Sequence, residues 1–541
     1  MTRREAWLSA LGIFAISLVA RAAAAALVVF PIPEDTAYYV SVSEHLVQGR
    51  GLVADALWSF QTPPLVFPRP AFEVWLPLPS LVAAVPMLLF GPTFRAAQVM
   101  AVIVGAIVPV LVWRLAADVA AERQLPVGRA RTLAIGSGLS AAVSLPLLLH
   151  STLPDSTMPF AALALGACLL MTRLTGNDTA PGVRDARLVG LGALIGLAAL
   201  TRNEALWIGL AWAWLALRRS GWTRGERTIA IVVPAVVAGL IFAPWAVRDW
   251  LVFGNPLPGQ ALANALSVSG FDIFAWSDPP TVARYLAVGP ARLVEMRIEG
   301  LGHNLFSVLL LPGAPLSVIG LISLPIAVRH AALRPLVLVA AITFLVTSLV
   351  FPVATTWGTF LHAAGPVHAL LVISSLLGLD ALIAAVGRRR GWTKPVAWLA
   401  PTLTVAGGLL FSLVLLPSFG GQSQQIADRY TGLGQQLQAA GLTGPSAPPV
   451  VTDFPIWLAA STGTHTLALP AESPTSVADL ARTFGAETLI LGEDDHGGWP
   501  GVLATNVADA GCFHPVTLPP PADESLAAAV ANLRVYRIAC P

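Results

Sequence analysis

The segment Pro31–Gly51, PIPEDTAYYVSVSEHLVQGRG, directly follows the first long apolar run of the chain. It places two adjacent carboxylates, Glu34 and Asp35, where a membrane helix is expected to meet water. An aromatic pair, Tyr38 and Tyr39, comes next, followed by a polar run that ends in Gly-Arg-Gly. A carboxylate at the mouth of a bundle of membrane helices is costly and is usually kept for a function. The segment therefore predicts a functional site at the membrane surface.

The composition is typical of a polytopic membrane protein. Of the 541 residues, 55% are apolar and 11% are charged, whereas about 25% of the residues of a typical soluble protein are charged. The formal net charge of +2 does not indicate a nucleic-acid partner, and we expect none. Three cysteines are too few for a disulfide scaffold, although Cys512 and Cys540 could pair if the C-terminal region faces an oxidising space.

Eleven apolar segments are predicted to cross the membrane as helices. They are 7–30, 97–117, 132–150, 156–174, 188–201, 204–217, 228–247, 303–328, 335–352, 367–387 and 396–416. The first follows the basic N-terminus MTRREAW and is longer than the core of a usual signal peptide, so we expect an uncleaved helix.

Basic residues predict the orientation of the chain. If the eleven segments cross, six basic clusters fall on one side, and the positive-inside rule makes that side cytoplasmic. The clusters are Arg3/Arg4, Arg114/Arg123/Arg129/Arg131, Arg173/Arg184/Arg187, Arg218/Arg219/Arg224/Arg227, Arg329/Arg334 and Arg388/Arg389/Arg390/Lys394. The expected location is a bacterial-type cytoplasmic membrane, with the N-terminus inside and the C-terminus outside. A further apolar run at 76–91 contains three prolines and is predicted to be an interfacial helix that does not cross.

The sequence predicts two domains in an α-helical polytopic membrane protein. Residues 1–416 form the transmembrane domain, whose first outer loop is 31–96, and residues 417–541 form a small extracytoplasmic α/β domain. In the second domain, segments 450–460, 487–495 and 533–540 have the pattern of strands, and 476–486 that of a helix. The polar run GGQSQQ at 420–425 is predicted to be a linker.

The unusual polar side chains all map to the predicted outer face. They are Glu34, Asp35, Arg69, His150, Asp155, Arg202, Glu204, Arg248, Asp249, His303 and His362. Carboxylates beside arginines at a membrane surface suit a reaction on a lipid-linked anionic substrate, because arginine binds phosphate by charge and by geometry. A carboxylate can deprotonate an acceptor hydroxyl group or hold a metal ion.

The carboxylates also have a structural interpretation. Glu34 and Asp35 could cap a helix that starts near Thr36, and Asp155 could cap a helix that starts at Ser156, because acidic residues favour helix N-termini.

The basic residues likewise have structural alternatives. Arg202 and Glu204 could form an ion pair within a short turn, and Arg248 could be an anchor at the level of the lipid headgroups. The three histidines of the outer face could be structural. The coincidence of all these groups on one face favours a site.

Several motifs together resemble those of the GT-C class of membrane glycosyltransferases. The class uses polyprenyl-phosphate sugars and includes protein O-mannosyltransferases and lipid A aminoarabinose transferases. The motifs are Asp35-Thr-Ala-Tyr38-Tyr39 with Gly49-Arg-Gly51, Arg69-Pro70-Ala-Phe, Leu153-Pro-Asp155, Thr201-Arg202-Asn-Glu204 and Pro244-Trp245-x-x-Arg248-Asp249. Each motif is weak alone, but their order, spacing and shared side of the membrane are specific.

The resemblance implies roles for these residues. Asp35 is expected to be the catalytic base that activates the acceptor hydroxyl. The candidates for contact with the donor phosphate are Arg69, Arg202, Arg248 and His362. The candidates for contact with the acceptor or a metal ion are Glu34, Asp155 and Glu204. Mg²⁺ or Mn²⁺, held by Asp35 and Asp155, is left open because metal use varies across the class.

Two departures from the class pattern stand out. Ala71 replaces the second proline of the loop motif, with Glu73 near a position that is often aromatic. Thr359-Phe-Leu-His362 stands where relatives often have Arg-Tyr, so His362 is a candidate to replace an arginine that contacts phosphate.

The function expected from the resemblance is transfer of a sugar, with inversion, from a polyprenyl-phosphate donor to a protein, lipid or wall-glycan acceptor at the outer face. A transporter or flippase is an alternative. It predicts broken polar helices near the membrane midplane and internal repeats, whereas here the polar residues crowd the ends of spans. A non-catalytic relative whose 417–541 region binds glycan is a third hypothesis, which the departures at Ala71 and His362 keep open.

Overall fold

A computed structural model of the protein describes residues 2–176, 181–392, 396–492, 496–505 and 510–539. Helices dominate it. In chain order the α-helices are α1 Arg3–Leu27, α2 Glu34–Val47, α3 Leu78–Phe90, α4 Phe94–Glu122, α5 Val127–Val143, α6 Leu145–Leu149, α7 Thr157–Leu174, α8 Pro181–Ala199, α9 Ala205–Arg218, α10 Arg224–Phe253, α11 Ala261–Leu266, α12 Val282–Ala287, α13 Gly289–Gly302, α14 Leu311–Gly313, α15 Leu316–Ala327, α16 Arg334–Leu349, α17 Thr359–Ala363, α18 Gly365–Arg389, α19 Leu399–Ala439, α20 Pro455–Thr462, α21 Pro474–Phe484, α22 Gly501–Thr505 and α23 Ala527–Val530. A π-helical stretch, His303–Leu310, joins α13 to α14.

Within the described residues, seven helices are long and apolar enough to cross a membrane, or nine if each of two bent pairs is one span. Every predicted segment falls on helical chain, but α9 has only 14 residues and α8 is not among the seven. The membrane-protein class is confirmed, while the count of eleven spans stays a prediction.

Two of the predicted spans are sharply bent. The segment predicted at 132–150 divides into α5 and α6, which meet at 62°, and the segment at 303–328 bends by 113° between α14 and α15. Pro146 is the second residue of α6, and Pro315 immediately precedes α15. Proline lacks the backbone N–H that a continuing helix would need, so each bend falls where the helix cannot continue its hydrogen bonds.

The first loop holds two helices and three short strands. Helix α3 has 13 residues, fewer than the roughly 20 needed to cross a bilayer, and its exposed C-terminal side chains are apolar. The helix predicted at 76–91 is therefore present and too short to cross. Strands β1 Val53–Ala54 and β3 Arg69–Pro70 pair with each other, and β2 is Ala56–Leu57.

Strand β2 belongs to a six-stranded sheet in the C-terminal region, with strand order β2-β5-β4-β6-β8-β7. The other strands are β4 Val450–Thr452, β5 Thr466–Ala468, β6 Thr488–Leu491, β7 Phe513–Val516 and β8 Arg534–Ile538. Strands β2, β5, β4 and β6 are parallel to one another, and β8 runs antiparallel to both of its neighbours, β6 and β7. The first loop thus supplies one edge of the C-terminal sheet.

The secondary structure predicted for the C-terminal region needs three corrections. Helix α19 runs unbroken for 41 residues, so the linker predicted at 420–425 is wrong because those residues continue the helix. Only the first three residues of the strand predicted at 450–460 are extended, since Pro455 starts α20. Strands β5 and β7 were not predicted. Cys540 lies outside the described residues, and so does the end of the strand predicted at 487–495.

Ion pairs join the ends of several membrane helices far from the first loop. Arg123 and Arg129 both contact Asp380, at 3.4 and 2.8 Å, and Arg173 lies 2.7 Å from Asp118. Helix α4, with 29 residues, is about 44 Å long and runs from the first loop to this basic end. The basic clusters and the polar outliers therefore lie at different ends of the helix bundle.

Candidate active site

A cavity of about 640 Å³ lies between the first loop, the turn after α8, the loop that follows α10 and helix α17. Its charged or titratable lining residues are Glu34, Asp35, Arg202, Glu204, His303 and His362. Its aromatic lining residues are Tyr39, Trp58, Trp75, Trp207, Phe274, Phe351, Trp357, Phe454 and Trp457. The cavity is thus largely apolar with a few convergent charges, which is the usual character of a ligand site.

Asp35 lies in the first turn of α2 and borders the cavity with 23% of its side chain exposed. Its Oδ2 is 3.1 Å from Nε2 of the buried His362, and Nδ1 of that ring is 2.8 Å from Oγ1 of Thr157. Burial lowers the pKa of His362, but the hydrogen bond to Asp35 and the charge of Asp155 outweigh burial and raise it above its ordinary value. Asp35 is therefore held by a histidine while remaining open to a hydroxyl group in the cavity.

The two ring nitrogens of His362 face Asp35 and Thr157, although the residue borders the cavity. In this arrangement His362 is a partner of the carboxylates, and its contact with the donor phosphate stays a prediction.

Asp155 lies behind Asp35 and is buried. Its Oδ1 accepts a hydrogen bond from the backbone N–H of Thr157 at 2.7 Å, which satisfies the first amide of α7. Its Oδ2 accepts from the Thr36 hydroxyl at 3.4 Å and lies 3.7 Å from His362 Nδ1. The hydrogen bond expected of a helix cap is therefore observed for Asp155. Its contact with an acceptor or a metal ion stays a prediction, and the residue does not border the cavity.

Arg202 and Glu204 form a bidentate salt bridge. Nε of Arg202 lies 3.1 Å from Glu204 Oε2, and Nη2 lies 2.9 Å from Oε1. Arg202 also donates to Ser156 Oγ at 2.9 Å and to the carbonyl of Thr359 at 3.1 Å. The structural ion pair is thus present, and Arg202 also borders the cavity. A phosphate there would share the guanidinium group with Glu204 or displace the carboxylate.

Two predicted phosphate contacts lie away from the cavity. Arg69 is buried and pairs with Glu73 at 3.2 Å. Arg248 lies 2.8 Å from Asp249, and its guanidinium group stacks 4.7 Å from the Trp245 ring. The charge of Arg69 is used within the first loop, and Arg248 is not brought to Asp35. The phosphate contacts proposed for these two arginines stay predictions.

Glu34 lines the cavity beside Asp35, but its carboxylate is used elsewhere. Glu34 Oε1 accepts hydrogen bonds from the backbone N–H groups of Ile456 and Trp457, at 2.9 and 3.3 Å, at the start of α20. Burial raises the pKa of Glu34 to about 8. Helix α2 itself begins at Glu34 and has no side-chain cap, so Glu34 satisfies amides of another helix and does not cap its own.

Three side chains near Asp35 could hold a metal ion. His150, Asp155 and His362 each offer a donor atom, and these atoms all lie within 4.8 Å of one another. Nδ1 of His150 has no hydrogen-bond partner among the described residues, which fits a nitrogen kept for a ligand. Imidazole nitrogens suit a transition-metal ion such as Zn²⁺ better than Mg²⁺. The donor set therefore differs from the predicted pair, because His150 and His362 join Asp155 and Asp35 is outside the group.

Sequence reasoning missed the contribution of the C-terminal region to this site. The amides that bind Glu34 belong to Ile456 and Trp457, more than 400 positions along the chain. Pro455 marks the start of a helix, which was a signal for α20 but gave no indication of its partner.

No protein-family model and no curated protein matches the chain. Solved structures match its fold over nearly the whole length. ArnT from Cupriavidus metallidurans bound to undecaprenyl phosphate has a TM-score of 0.56 at 14% identity, covering 98% of each chain. The archaeal oligosaccharyltransferase AglB from Archaeoglobus fulgidus, in complex with an inhibitory peptide and a dolichol-phosphate, has a TM-score of 0.53 at 12% identity, covering 97% of this chain and 75% of AglB.

The protein has the GT-C membrane fold. The motif resemblance is therefore confirmed at the level of architecture, and in this GT-C fold the motif residues Asp35, Asp155 and Arg202 meet at one end of the bundle. At such low identity the likeness concerns the fold alone.

Proposed function

We propose that this protein is a glycosyltransferase that moves a sugar from a polyprenyl-phosphate donor to an acceptor hydroxyl group at the outer face of the cytoplasmic membrane. The observation that carries the proposal is that Asp35, a partly exposed carboxylate, and Arg202, a largely buried cation, border the same aromatic cavity. ArnT bound to undecaprenyl phosphate and AglB bound to a dolichol-phosphate share the fold, which supports a polyprenyl-phosphate donor here.

In the proposed reaction, the acceptor oxygen bonds to the anomeric carbon of the sugar while Asp35 takes the hydroxyl proton. The bond from that carbon to the phosphate oxygen breaks, and its electron pair leaves with the polyprenyl phosphate. A single displacement of this kind inverts the anomeric centre. Arg202 stabilises the negative charge that develops on the leaving phosphate.

The surrounding residues hold these two groups in place. His362 fixes Asp35 by its 3.1 Å contact, and Glu204 fixes the plane of the Arg202 guanidinium group. A cation held by His150, Asp155 and His362 would supply positive charge near the carboxylate of Asp35. The proton transfer assigned to Asp35 needs only a hydroxyl group within hydrogen-bond reach of its free oxygen.

The apolar walls of the cavity suit the rest of a lipid-linked donor. Trp58 and Trp75 pack together with ring centroids 4.4 Å apart, and Leu206, Phe351 and Val353 continue the lining. Aromatic and aliphatic walls exclude water from the reacting groups, which strengthens the attraction between Arg202 and a phosphate.

The test uses the full-length protein in proteoliposomes with a panel of labelled undecaprenyl-phosphate hexoses and pentoses and a cell-envelope extract as acceptor. The proposal predicts release of free undecaprenyl phosphate together with labelled acceptor. Accumulation of intact donor across the bilayer without cleavage would indicate a transporter or flippase. Binding of glycan with no cleavage of any donor would indicate a non-catalytic relative.

A further inference from the structure

The connection between α1 and α2 is tied to the C-terminal part of the chain. The backbone N–H groups of Val29 and Phe30 donate to Oγ of Ser423 in α19, at 3.0 and 2.8 Å. Nε1 of Trp457 in α20 donates to the carbonyl of Pro31 at 3.0 Å. These bonds determine where the chain enters α2, and therefore where Asp35 starts.

Glu34, the residue immediately before Asp35, makes a further contact with the C-terminal part of the chain. Its Oε1 accepts from the first free amides of α20, those of Ile456 and Trp457. The first amides of a helix have no partner within the helix and carry partial positive charge, so a carboxyl oxygen is a favourable partner for them. The Trp457 ring packs on Phe454 with ring centroids 5.0 Å apart, and this contact restricts the motion of the start of α20.

Three consecutive residues of α2 therefore hold three different parts of the molecule. Glu34 contacts α20, Asp35 contacts His362 of α17, and Thr36 contacts Asp155 before α7. Successive residues of an α-helix point about 100° apart, so the three contacts together fix both the rotation and the height of this turn.

From this geometry we propose that Glu34 is a positioning residue for Asp35. Helix α20, which binds Glu34, thereby helps to set the geometry of the reaction centre. The inference rests on the proposed function, since it assigns a task to the neighbour of the proposed base. Proton transfer depends steeply on placement, and a shift of about 1 Å can cost about a hundredfold in rate. Glu34 needs only an acceptor oxygen for this task and does not need a negative charge.

That distinction defines the experiment. Glu34→Gln keeps an oxygen that can accept from both amides, whereas Glu34→Ala removes it. Glu44→Ala is the matched control, because Glu44 lies ten residues further along the same helix and outside the cavity lining. Each full-length variant is assayed in proteoliposomes for kcat, donor KM and Tm.

We expect Glu34→Ala to lower kcat by about 10- to 100-fold with donor KM within about twofold, as for a misplaced base. Glu34→Gln should retain kcat within about threefold, and Glu44→Ala should match the wild type. Ser423→Ala, which removes the acceptor for the amides of Val29 and Phe30 and does not border the cavity, should also lower kcat without changing KM.

The proposal is overturned by either of two results. If Glu34→Gln is as inactive as Glu34→Ala, the carboxylate takes part in chemistry or ligand binding. If Glu34→Ala keeps the wild-type kcat, Glu34 and α20 do not position Asp35, whatever the result for Ser423→Ala. Should Glu34→Ala fail to fold, Glu34→Gln decides, because loss of its kcat in a folded protein would still overturn the proposal. An inactive wild type would instead refute the proposed function.

Discussion

Arg202 and Arg248 look alike in the sequence, because each follows an apolar helical pattern and has an acidic residue close behind it. The structure separates them. Arg202 borders the cavity near Asp35, while Arg248 pairs with Asp249 and stacks on an aromatic ring away from it. Of these two arginines, Arg202 is therefore the one that the proposed reaction would use to stabilise the leaving phosphate.

This difference predicts the effects of two matched substitutions. Arg202→Gln should lower the rate of sugar transfer by about a hundredfold or more, because it removes a preorganised positive charge from the leaving group. Arg248→Gln should lower it by less than about threefold, because its guanidinium group is partly exposed and lies outside the cavity. Initial rates of undecaprenyl phosphate release by the two variants check the prediction, and equal losses would contradict it.

Asp453, which follows β4, is a buried carboxyl group outside the cavity lining. Burial raises its pKa to about 6, although the N–H of Gly492 and the hydroxyl of Thr452 donate to it. The unfolded chain ionises this group near pH 3.9. The folded protein therefore holds the proton more tightly, and the stability contributed by protonated Asp453 is complete below about pH 4 and lost as the pH rises to about 6.

Asp453→Asn should remove this dependence. Relative to the variant, the wild type should lose up to about 3 kcal/mol of unfolding free energy between about pH 4 and pH 6, with no further change above that range. Thermal unfolding of both proteins in detergent across this pH range measures the difference in Tm. A difference in Tm that stays constant with pH would show that Asp453 is not buried as a neutral acid.

For single residues, the sequence is informative where a residue belongs to a recognisable motif. It is not informative where a residue contacts a partner that is remote in the chain. The order of their motifs predicts that Asp35 and Arg202 share a site, and both border the same cavity. For Glu34 the sequence predicts either a cap of its own helix or a contact with the acceptor or a metal ion. Neither prediction includes its observed partners, Ile456 and Trp457, which are separated from it by about 420 positions. Nothing in the local sequence indicates such a pair.

Among the elements, the contact between α15 and α18 depends on a glycine. A Cβ atom added at Gly320 would collide with the backbone carbonyl group of Leu371, whose Cα is 2.9 Å away. The hydroxyl of Ser374 donates to the carbonyl of Gly320 at 2.7 Å. Membrane helices commonly use small residues to approach this closely.

Gly320→Ala should therefore destabilise the protein by about 1 to 3 kcal/mol, as expected for overpacking against rigid backbone. Gly239→Ala in α10, where an added Cβ has nothing within 4 Å, should be neutral or stabilise by up to about 1 kcal/mol. The Tm of each variant in the same detergent tests this. Equal Tm values would mean that α15 and α18 are not packed at Gly320.

The same physics explains why a linker was wrongly predicted at 420–425. Glycine and polar residues are typical of loops, but Gly420 lies within α19, where an added Cβ would be 2.9 Å from the carbonyl oxygen of Leu27. Ser423 is buried and binds the chain after α1. Both residues serve close packing between α19 and the N-terminal chain, and tertiary contacts of this kind override local propensity.

For the whole molecule, the sequence predicted the membrane class and the separation of basic residues from the polar outliers. It did not predict that β2 of the first loop joins the C-terminal sheet. Strand β2 has two residues, too few for a periodic pattern, and its parallel pairing with β5 spans about 410 positions. Such an edge strand is defined by the assembled sheet and has no local signature.

The predicted orientation can be tested by single cysteines at the two ends of the bundle. Arg389→Cys, at the basic end, should react with a membrane-impermeant maleimide only in inside-out vesicles, and Asp278→Cys, in the loop after α10, only in intact spheroplasts. The wild-type protein measures the background from its own cysteines. Labelling of both positions from the same side would contradict the orientation.

The proposed function depends on Asp35 acting as the base of the sugar transfer, and the substitution Asp35→Asn tests that role. Asp35→Asn keeps the shape of the side chain and can still contact His362, but it cannot accept the hydroxyl proton. In proteoliposomes containing the labelled donor, we expect Asp35→Asn to bind undecaprenyl phosphate like the wild type and to transfer sugar at least about a thousandfold more slowly. Transfer at the wild-type rate by a correctly folded Asp35→Asn protein would show that Asp35 is not the base.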